Sequence, residues 1–146
     1  MIASRTKNVL AYIIHSNQTG YVKDHFIGNK TVRSILNIMD FTGKENMPGL
    51  MILIDFRKAF DTLEWNFLLN FLDAFNFGNE FKRWISTFYK SIQSCVINNG
   101  LSSDYFNLTS GVRQGDPLSP YIFLLAVETL AISIRENEEI KKNCYR

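Results

Sequence analysis

Asp55 stands where a carboxylate is unusual, at the end of a run of apolar residues. Residues 50–54 are Leu-Met-Ile-Leu-Ile, and a short apolar run that follows a Pro-Gly turn predicts a buried strand over residues 50–55. A carboxylate beside a buried strand stays ionised only near a cation or strong hydrogen-bond donors. A divalent metal, the neighbouring cations Arg57 or Lys58, or simple capping of a turn would each satisfy it. The motif by itself leaves these three explanations open.

A second group of polar residues lies in the loop 110–120, whose sequence is SGVRQGDPLSP. Gly115 would let the backbone pass close to a flat or phosphorylated partner. Arg113 and Gln114 offer hydrogen-bond donors at the same place, and the helix that follows would add the positive end of its dipole. A Pro-Gly turn that merely caps this helix explains the same residues equally well.

The elements that must position these two groups are mainly helices. Asp61 and Glu64 have capping-box spacing, which predicts that a helix begins at Asp61 and ends at Gly78. Asn99-Gly100 is a favoured hairpin turn, so two short strands are predicted around it. Apolar residues at helical spacing predict further helices over residues 3–15, 26–41, 79–92 and about 120–135. Several helices with only a few strands predict an α+β fold.

The composition is that of one ordinary globular domain. Of the 146 residues, 46% are hydrophobic and 21% charged, which provides one core and argues against disorder. A formal charge of +2 permits a nucleic-acid partner without indicating one. Cys95 and Cys144 match no metal or redox spacing, and no secretory signal opens the chain, so an intracellular protein, cytoplasmic or nuclear, is expected. The apolar stretch 118–134 contains Pro120 and Glu128 and predicts a buried helix, so no membrane partner is expected.

Taken together, the two polar motifs are far more specific than either is alone. An apolar strand that continues as DFRKAFD and then EW, followed later by RQGDPLSP at the start of a helix, resembles reverse transcriptases. The closest resemblance is to the enzymes of non-LTR (LINE-type) retrotransposons. Residues 17–38, NQTGYVKDHFIGNKTVRSILNI, also look like the first motif of that family. The resemblance extends over roughly residues 3–140.

The resemblance implies part of a right-hand polymerase, with helices packed on a small antiparallel sheet. Fingers and palm would alternate along the chain: fingers over about residues 1–48, palm with motif A over 49–76, fingers again over 77–110, and palm with motif B over 111–146. The implied activity is RNA-directed DNA polymerisation, in which dNTPs are added to a primer 3′-hydroxyl. The expected partners are an RNA template, a DNA primer and the rest of a polyprotein, namely the missing palm, the thumb and an endonuclease.

The same resemblance implies a metal site at Asp55. Asp55 would be the catalytic aspartate that binds two Mg²⁺ ions, with Mn²⁺ as an alternative metal, and the backbone carbonyl of Phe56 would bind one of them. Phosphoryl transfer uses two cations about 4 Å apart, which activate the primer hydroxyl and stabilise the leaving pyrophosphate. A strand end would hold such a carboxylate more rigidly than a loop.

Four further residues are implied to contact the nucleotide. Phe60, five residues after Asp55, would be a steric gate under the sugar, because a bulky ring leaves no room for a ribose 2′-hydroxyl. RNA-copying RNA polymerases commonly carry an aspartate at that offset, and Asp61 lies one residue too far along to replace it. The motif-B loop that packs on the incoming nucleotide and the template base would consist of Arg113, Gln114 and Gly115.

Two features depart from the family pattern. Catalysis there also needs an adjacent aspartate pair, and the sequence contains no Asp-Asp. The chain is therefore expected to be inactive alone, because one carboxylate cannot hold two divalent cations. In addition, Asp24-His25 stand where related elements often carry Gly-Arg. The candidate phosphate contacts that remain are Lys23, Lys30 and Arg33, and a solvated surface explains these three equally well.

The main alternative is a truncated retroelement relic without enzymatic activity, which at most binds nucleic acid weakly by charge. Its fold would be the same. A third alternative, an unrelated α+β binding module, would require both long motifs to arise by chance. The aromatic residues of the central helices have helical spacing, which predicts core packing rather than base stacking; they are Phe67, Phe71, Phe75, Phe77, Phe81, Trp84 and Phe88.

Overall fold

The computed structural model of the chain describes residues 2–22, 27–48 and 50–140. The chain divides into two compact units, Met1–Arg57 and Lys58–Arg146, each with its own internal contacts.

The first unit contains two helices, α1 (Ile2–Ile13) and α2 (Ile27–Lys44). Both were predicted, and the second extends three residues beyond its predicted end. Helix α1 has a clear inward face: Leu10 is 1% exposed, and the buried Thr6 hydroxyl donates to the Ile2 carbonyl one turn earlier. Helix α2 ends with an exposed ion pair between Asp40 and Lys44 at 2.7 Å. Such a pair, four residues apart on one helix face, adds a few tenths of a kcal/mol, on the order of 0.3–0.5.

The predicted strand over residues 50–55 is wrong. Residues 50–56 belong to no helix or paired strand, and the apolar side chains from Leu50 to Ile54 are exposed, with Leu50 87% and Leu53 81% accessible. A strand is stable only when neighbouring backbone groups satisfy its N–H and C=O groups. Among the described residues, the paired strands all lie between residues 93 and 107, and none of them pairs with this segment. Hydrophobicity therefore predicted a buried strand here, but it cannot show whether a partner strand is present.

The second unit is built on three helices, α3 (Trp65–Ala74), α4 (Asn79–Tyr89) and α5 (Ser119–Glu136). Helix α3 packs against both α4 and α5. The core side chains at these contacts are at most 2% exposed: Leu68, Phe71, Leu72, Ile85, Ile122 and Leu125. Full burial of a side chain of this size stabilises a fold by about 1.5–3 kcal/mol. This core is what holds the connecting loops of the unit in place.

A small antiparallel hairpin connects α4 to the loop before α5. Strand β1 (Gln93–Ser94) pairs with β4 (Phe106–Asn107), and β2 (Ile97–Asn98) pairs with β3 (Leu101–Ser102). The turn at Asn99-Gly100 has positive φ at both residues, 50° and 79°, as a two-residue hairpin turn requires. The predicted hairpin is confirmed, and helices with small antiparallel strand pairs agree with the predicted α+β class.

Two helix boundaries differ from prediction. Helix α3 begins at Trp65, not at Asp61, and its N-cap Glu64 makes no side-chain capping bond. Asp61 instead lies in a turn, in which its N–H donates to the Lys58 carbonyl at 2.8 Å. The predicted capping box is therefore wrong, because the Asp61 carboxylate has another partner. Helix α3 ends at Ala74, and Gly78 caps the start of α4 rather than the end of α3.

The aromatic residues of α3 and α4 are only partly core. Phe71 is 2% exposed, whereas Phe67, Trp84 and Phe88 are each between 41% and 46% exposed. The helical spacing marked the correct helices, but the two helices together bury only one side of each. Helix α5, predicted over about 120–135, is confirmed. None of the helices in the described part of the chain is long and apolar enough to cross a membrane.

Candidate nucleotide site

The turn 58–64 and the loop 110–119 are joined by backbone hydrogen bonds. The Val112 N–H donates to the Phe60 carbonyl at 2.7 Å, and the Gly111 N–H donates to the Leu63 carbonyl at 2.8 Å. Ser110 and Glu64 form an isolated antiparallel bridge next to them. Residues about fifty positions apart in sequence are thus neighbours, and the predicted gate residue lies beside the predicted nucleotide loop.

Gly111 makes this close approach sterically feasible. Its φ is +93°, and a Cβ at this position would lie 2.9 Å from the Asp61 carbonyl oxygen. The Ser110 hydroxyl also donates to that oxygen, at 3.1 Å. A residue with a side chain would both adopt a left-handed conformation and push the two segments apart. The contact between loop and turn therefore depends on glycine.

The ring of Phe60 rests on helix α5. Its centroid is 5.3 Å from that of Phe123, with the ring planes tilted by 36°, which is within the range of favourable aromatic pairs. Phe60 remains half-buried rather than enclosed. One side of the ring therefore lies against helix α5, and the side chain as a whole is not fully covered.

The loop presents its polar side chains outward. Arg113, Gln114 and Gly115 are all exposed. The Gln114 side-chain amide donates to the Asp61 carboxylate at 3.1 Å, so the Asp61 side chain orients Gln114. Gly115 has φ +87°, and the space where its Cβ would stand has no atom within 4 Å. Open space beside an exposed backbone would accommodate a flat ligand.

The end of the loop is tied to the start of helix α5. The Asp116 carboxylate accepts a hydrogen bond from the Leu118 N–H at 2.8 Å, and Pro120 occupies the first turn, where its missing N–H costs nothing. This local arrangement agrees with the alternative explanation of the loop, namely a turn that begins the helix. The residues that begin the helix are different from Arg113 and Gln114, whose side chains remain exposed.

Two residues for which the sequence predicted no role at this loop support it. The Trp65 indole N–H donates to the Gly111 carbonyl at 2.8 Å. The Trp65 ring lies 6.0 Å from the ring of Tyr89, which is 5% exposed. Burial raises the pKa of the Tyr89 phenol above its usual 10.0; Asp116 acts in the same direction, while the Ser119 hydroxyl and Arg113 oppose it. Tyr89 is therefore within reach of the far end of the loop.

Asp55 and Phe56 belong to the first unit. The Asp55 carboxylate is exposed at the end of the unpaired apolar segment. Across residues 2–22, 27–48 and 50–140, no three His, Cys, Asp or Glu side chains come together as a metal site would require. One carboxylate and one carbonyl are hard oxygen donors of the kind Mg²⁺ takes, but they do not make a complete site.

Two of the three candidate phosphate contacts lie on helix α2. Lys23 lies outside the described residues, and Lys30 lies on helix α2. Arg33 is exposed on the same helix. Their role in phosphate binding stays a prediction.

Known proteins show what this sequence is related to. The family described as reverse transcriptase (RNA-dependent DNA polymerase) matches residues 1–146, and the chain belongs to this family. A 149 kDa uncharacterized protein of transposon TX1 from Xenopus laevis is 31% identical over 135 residues, which are 92% of this chain and 10% of that protein. The resemblance to reverse transcriptases of non-LTR retrotransposons is thereby confirmed.

Two further relatives are Pol polyproteins of retrotransposable elements. One, from type-1 element R2 of Popillia japonica, is 26% identical over 88 residues, 60% of this chain and 14% of the polyprotein. Another, from type-2 element R2DM of Drosophila melanogaster, is 34% identical over 77 residues, 53% of this chain and 7% of the polyprotein. The aligned residues thus make up only 7–14% of these three relatives.

Proposed function

We propose that this chain supplies the nucleotide-contacting part of an RNA-directed DNA polymerase, which adds dNTPs to a primer on an RNA template. The observation that carries the proposal is the 2.7 Å hydrogen bond from Val112 to Phe60. It places a bulky ring beside a loop of exposed donors, as selection of a deoxynucleotide would require. Membership in the reverse transcriptase family supplies the reaction class.

In this proposal Phe60 discriminates between sugars. A half-buried ring that rests on Phe123 cannot swing away without losing that contact. When a nucleotide lies against the ring, the ring occupies the space that a ribose 2′-hydroxyl would need. The chain therefore favours dNTPs over rNTPs.

The loop residues bind the rest of the nucleotide. Arg113 provides a cation for phosphate or a planar group for stacking on a base. Gln114 provides an amide whose direction is set by Asp61. Gly115 leaves room for the base to approach the backbone. Together these three residues provide a cation, an oriented hydrogen-bond donor and room for the base.

Asp55 is proposed as one oxygen ligand of Mg²⁺, or of Mn²⁺ in its place, with the Phe56 carbonyl as a second. The metal would lower the barrier to phosphoryl transfer by stabilising negative charge. In a complete enzyme Asp55 would contact both of two ions and the Phe56 carbonyl one of them, and the further ligands would come from outside the described residues. The fingers and palm boundaries and the phosphate contacts at Lys23, Lys30 and Arg33 belong to the same proposal.

The relatives suggest the partners. Two of them are named as Pol polyproteins, so the proposed setting of this chain is a longer polypeptide that holds an RNA template and a DNA primer. Binding of such a duplex should weaken steeply as salt is raised, because cationic side chains release counterions on contact with phosphate.

Primer extension tests the proposal. The polypeptide is the longest one that the transcript encodes around residues 1–146, supplied with Mg²⁺, an RNA template, a DNA primer and either dNTPs or rNTPs. Extension with dNTPs and little with rNTPs is expected. If that polypeptide binds RNA–DNA duplex in a salt-dependent manner yet never extends the primer, the non-enzymatic relic is the correct reading. The absence of Asp-Asp from these 146 residues makes that outcome a specific alternative.

A further inference from the structure

Trp65 holds the start of the nucleotide loop by a single directed bond. Its indole N–H reaches the Gly111 carbonyl at 2.8 Å in a part-buried position, across 46 residues of sequence. An indole nitrogen can only donate, so it needs an acceptor where it is shielded from water. The Gly111 carbonyl supplies that acceptor. The peptide that begins the loop therefore has a fixed orientation.

This peptide and the one before it are also bonded to the turn 58–64. The Gly111 N–H donates to the Leu63 carbonyl, and the next N–H, that of Val112, donates to the Phe60 carbonyl. The Gly111 carbonyl and the Val112 N–H belong to one peptide group, so rotation of the 111–112 peptide would break both the bond to Trp65 and the bond to Phe60. Trp65 and the gate residue are thus bonded to the same peptide of the loop.

Tyr89 holds the Trp65 ring in place. Its ring lies 6.0 Å from that of Trp65, and it is anchored in α4, whose Ile85 is fully buried one turn earlier. Because α3 packs on α4, the Trp65 side chain is supported from the core side. The indole N–H of Trp65 is then directed toward the Gly111 carbonyl.

From this arrangement we propose that Trp65 is a positioning residue for nucleotide selection: it fixes the Gly111 peptide, and so keeps Arg113 and Gln114 at a constant distance from Phe60. This inference rests on the proposed function. It adds a residue that would touch neither nucleotide nor metal but on which the geometry of both nucleotide contacts depends.

The first test measures the loop in the chain as it stands. Trp65→Phe keeps an aromatic ring and removes the N–H, and Trp84→Phe is the matched control, because Trp84 is 45% exposed on α4. Amide hydrogen exchange followed by NMR should become about fivefold faster at Gly111 and Val112 in the first variant, as expected for loss of one hydrogen bond. The control should show no change there, and unchanged exchange at both amides in Trp65→Phe would overturn the proposal.

A core amide and a second variant distinguish loss of the Trp65 hydrogen bond from a general loss of packing. The amide of Leu125, which is fully buried in α5, should exchange at the same rate in all variants. If it too becomes faster in Trp65→Phe, Trp65 is replaced by benzothienylalanine, whose ring has the shape of indole but no N–H. Faster exchange confined to the loop in that protein supports the proposal, and exchange as slow as in the wild type contradicts it.

The last measurement connects the loop to nucleotide binding. In the primer-extending polypeptide, Trp65→Phe should raise KM for dNTPs several-fold and change primer–template affinity little, while Trp84→Phe changes neither. A mobile loop with an unchanged KM would overturn the role in nucleotide selection. If the wild-type polypeptide extends no primer, the proposed function fails, and the exchange rates still decide whether Trp65 holds the loop.

Discussion

The ring of Phe60 lies 5.3 Å from the ring of Phe123, so the residue proposed to select the sugar is supported by the helix that follows the loop 110–119. The backbone of Phe60 is bonded to that loop through Val112. The side chain and the backbone of Phe60 therefore link the turn, the loop and helix α5. A change in any of these three elements should shift the position of the Phe60 ring.

Replacing the gate should relax sugar selection. In the primer-extending polypeptide, Phe60→Val should admit ribonucleotides and lower the preference for dNTPs by about ten- to a hundredfold, the range expected when a pocket gains the volume of a few carbon atoms. The measurement is the ratio of kcat/KM for dNTP and rNTP. Phe67→Val is the control, since Phe67 is 41% exposed on α3; it should leave the ratio unchanged. Equal discrimination in wild type and Phe60→Val would remove Phe60 from the site.

Removing the proposed metal ligand should affect activity but not folding. Asp55 is exposed, so Asp55→Asn is expected to change the free energy of unfolding by less than about 0.5 kcal/mol. Primer extension should fall to background, because an amide lacks the charge that a divalent cation requires. Thermal denaturation and extension assays check both parts. Asp104→Asn, at another exposed aspartate, should keep activity; near-normal extension by Asp55→Asn would contradict the assignment.

The two loop glycines should respond differently to the same substitution. Gly115→Ala meets no atom within 4 Å and pays only for its left-handed backbone, about 1–2 kcal/mol. Gly111→Ala carries the same backbone penalty and also places a methyl group 2.9 Å from the Asp61 carbonyl oxygen. Overpacking of this kind adds about 1–3 kcal/mol. Urea denaturation of the two variants measures the difference directly. Equal destabilisation would mean that the loop does not approach Asp61 so closely.

The buried carboxylate of Glu128 should make Arg135 important for stability. Glu128 is 1% exposed, and one of its oxygens lies 2.5 Å from the Arg135 guanidinium, while Oε2 has no hydrogen-bond partner among the described residues. Arg135→Ala leaves this charge unpaired and should cost on the order of 3 kcal/mol. Arg83→Ala breaks an exposed pair with Glu80 and should cost less than about 1 kcal/mol. Similar melting temperatures for the two variants would contradict this expectation.

Alkaline pH should destabilise the chain through Tyr89. Burial raises the pKa of this phenol above 10.0 in the folded state, so above pH 10 the unfolded chain loses the proton first and gains relative stability. The contribution is fully present below pH 10 and is lost as the pH rises through the folded-state pKa. Tyr89→Phe should show a shallower fall in Tm above pH 10 than the wild type. Tyr105→Phe, at a tyrosine 71% exposed, should follow the wild-type curve; identical slopes for Tyr89→Phe and wild type would disprove the linkage.

Local chemistry was predictable from the sequence, and distant pairing was not. The helices followed from apolar spacing, and the hairpin followed from Asn99-Gly100, because both signals act within a few residues. Asp61 was assigned to a capping box for the same local reason, yet its carboxylate binds Gln114, 53 residues away. The Trp65–Gly111 bond spans 46 residues, and no local pattern marks it. The motif resemblance gave the family and the candidate nucleotide contacts, but not the hydrogen bonds that join their two segments.

The unpaired segment 50–54 also determines how the protein must be handled. Five consecutive exposed apolar residues outside any strand can pair with the same segment of another molecule, which is how cross-β stacks begin. Pairing between molecules grows with concentration, whereas pairing within one molecule does not. Measurements on the isolated chain therefore belong at low concentration, and a polar replacement such as Leu53→Lys provides a version with less tendency to stack.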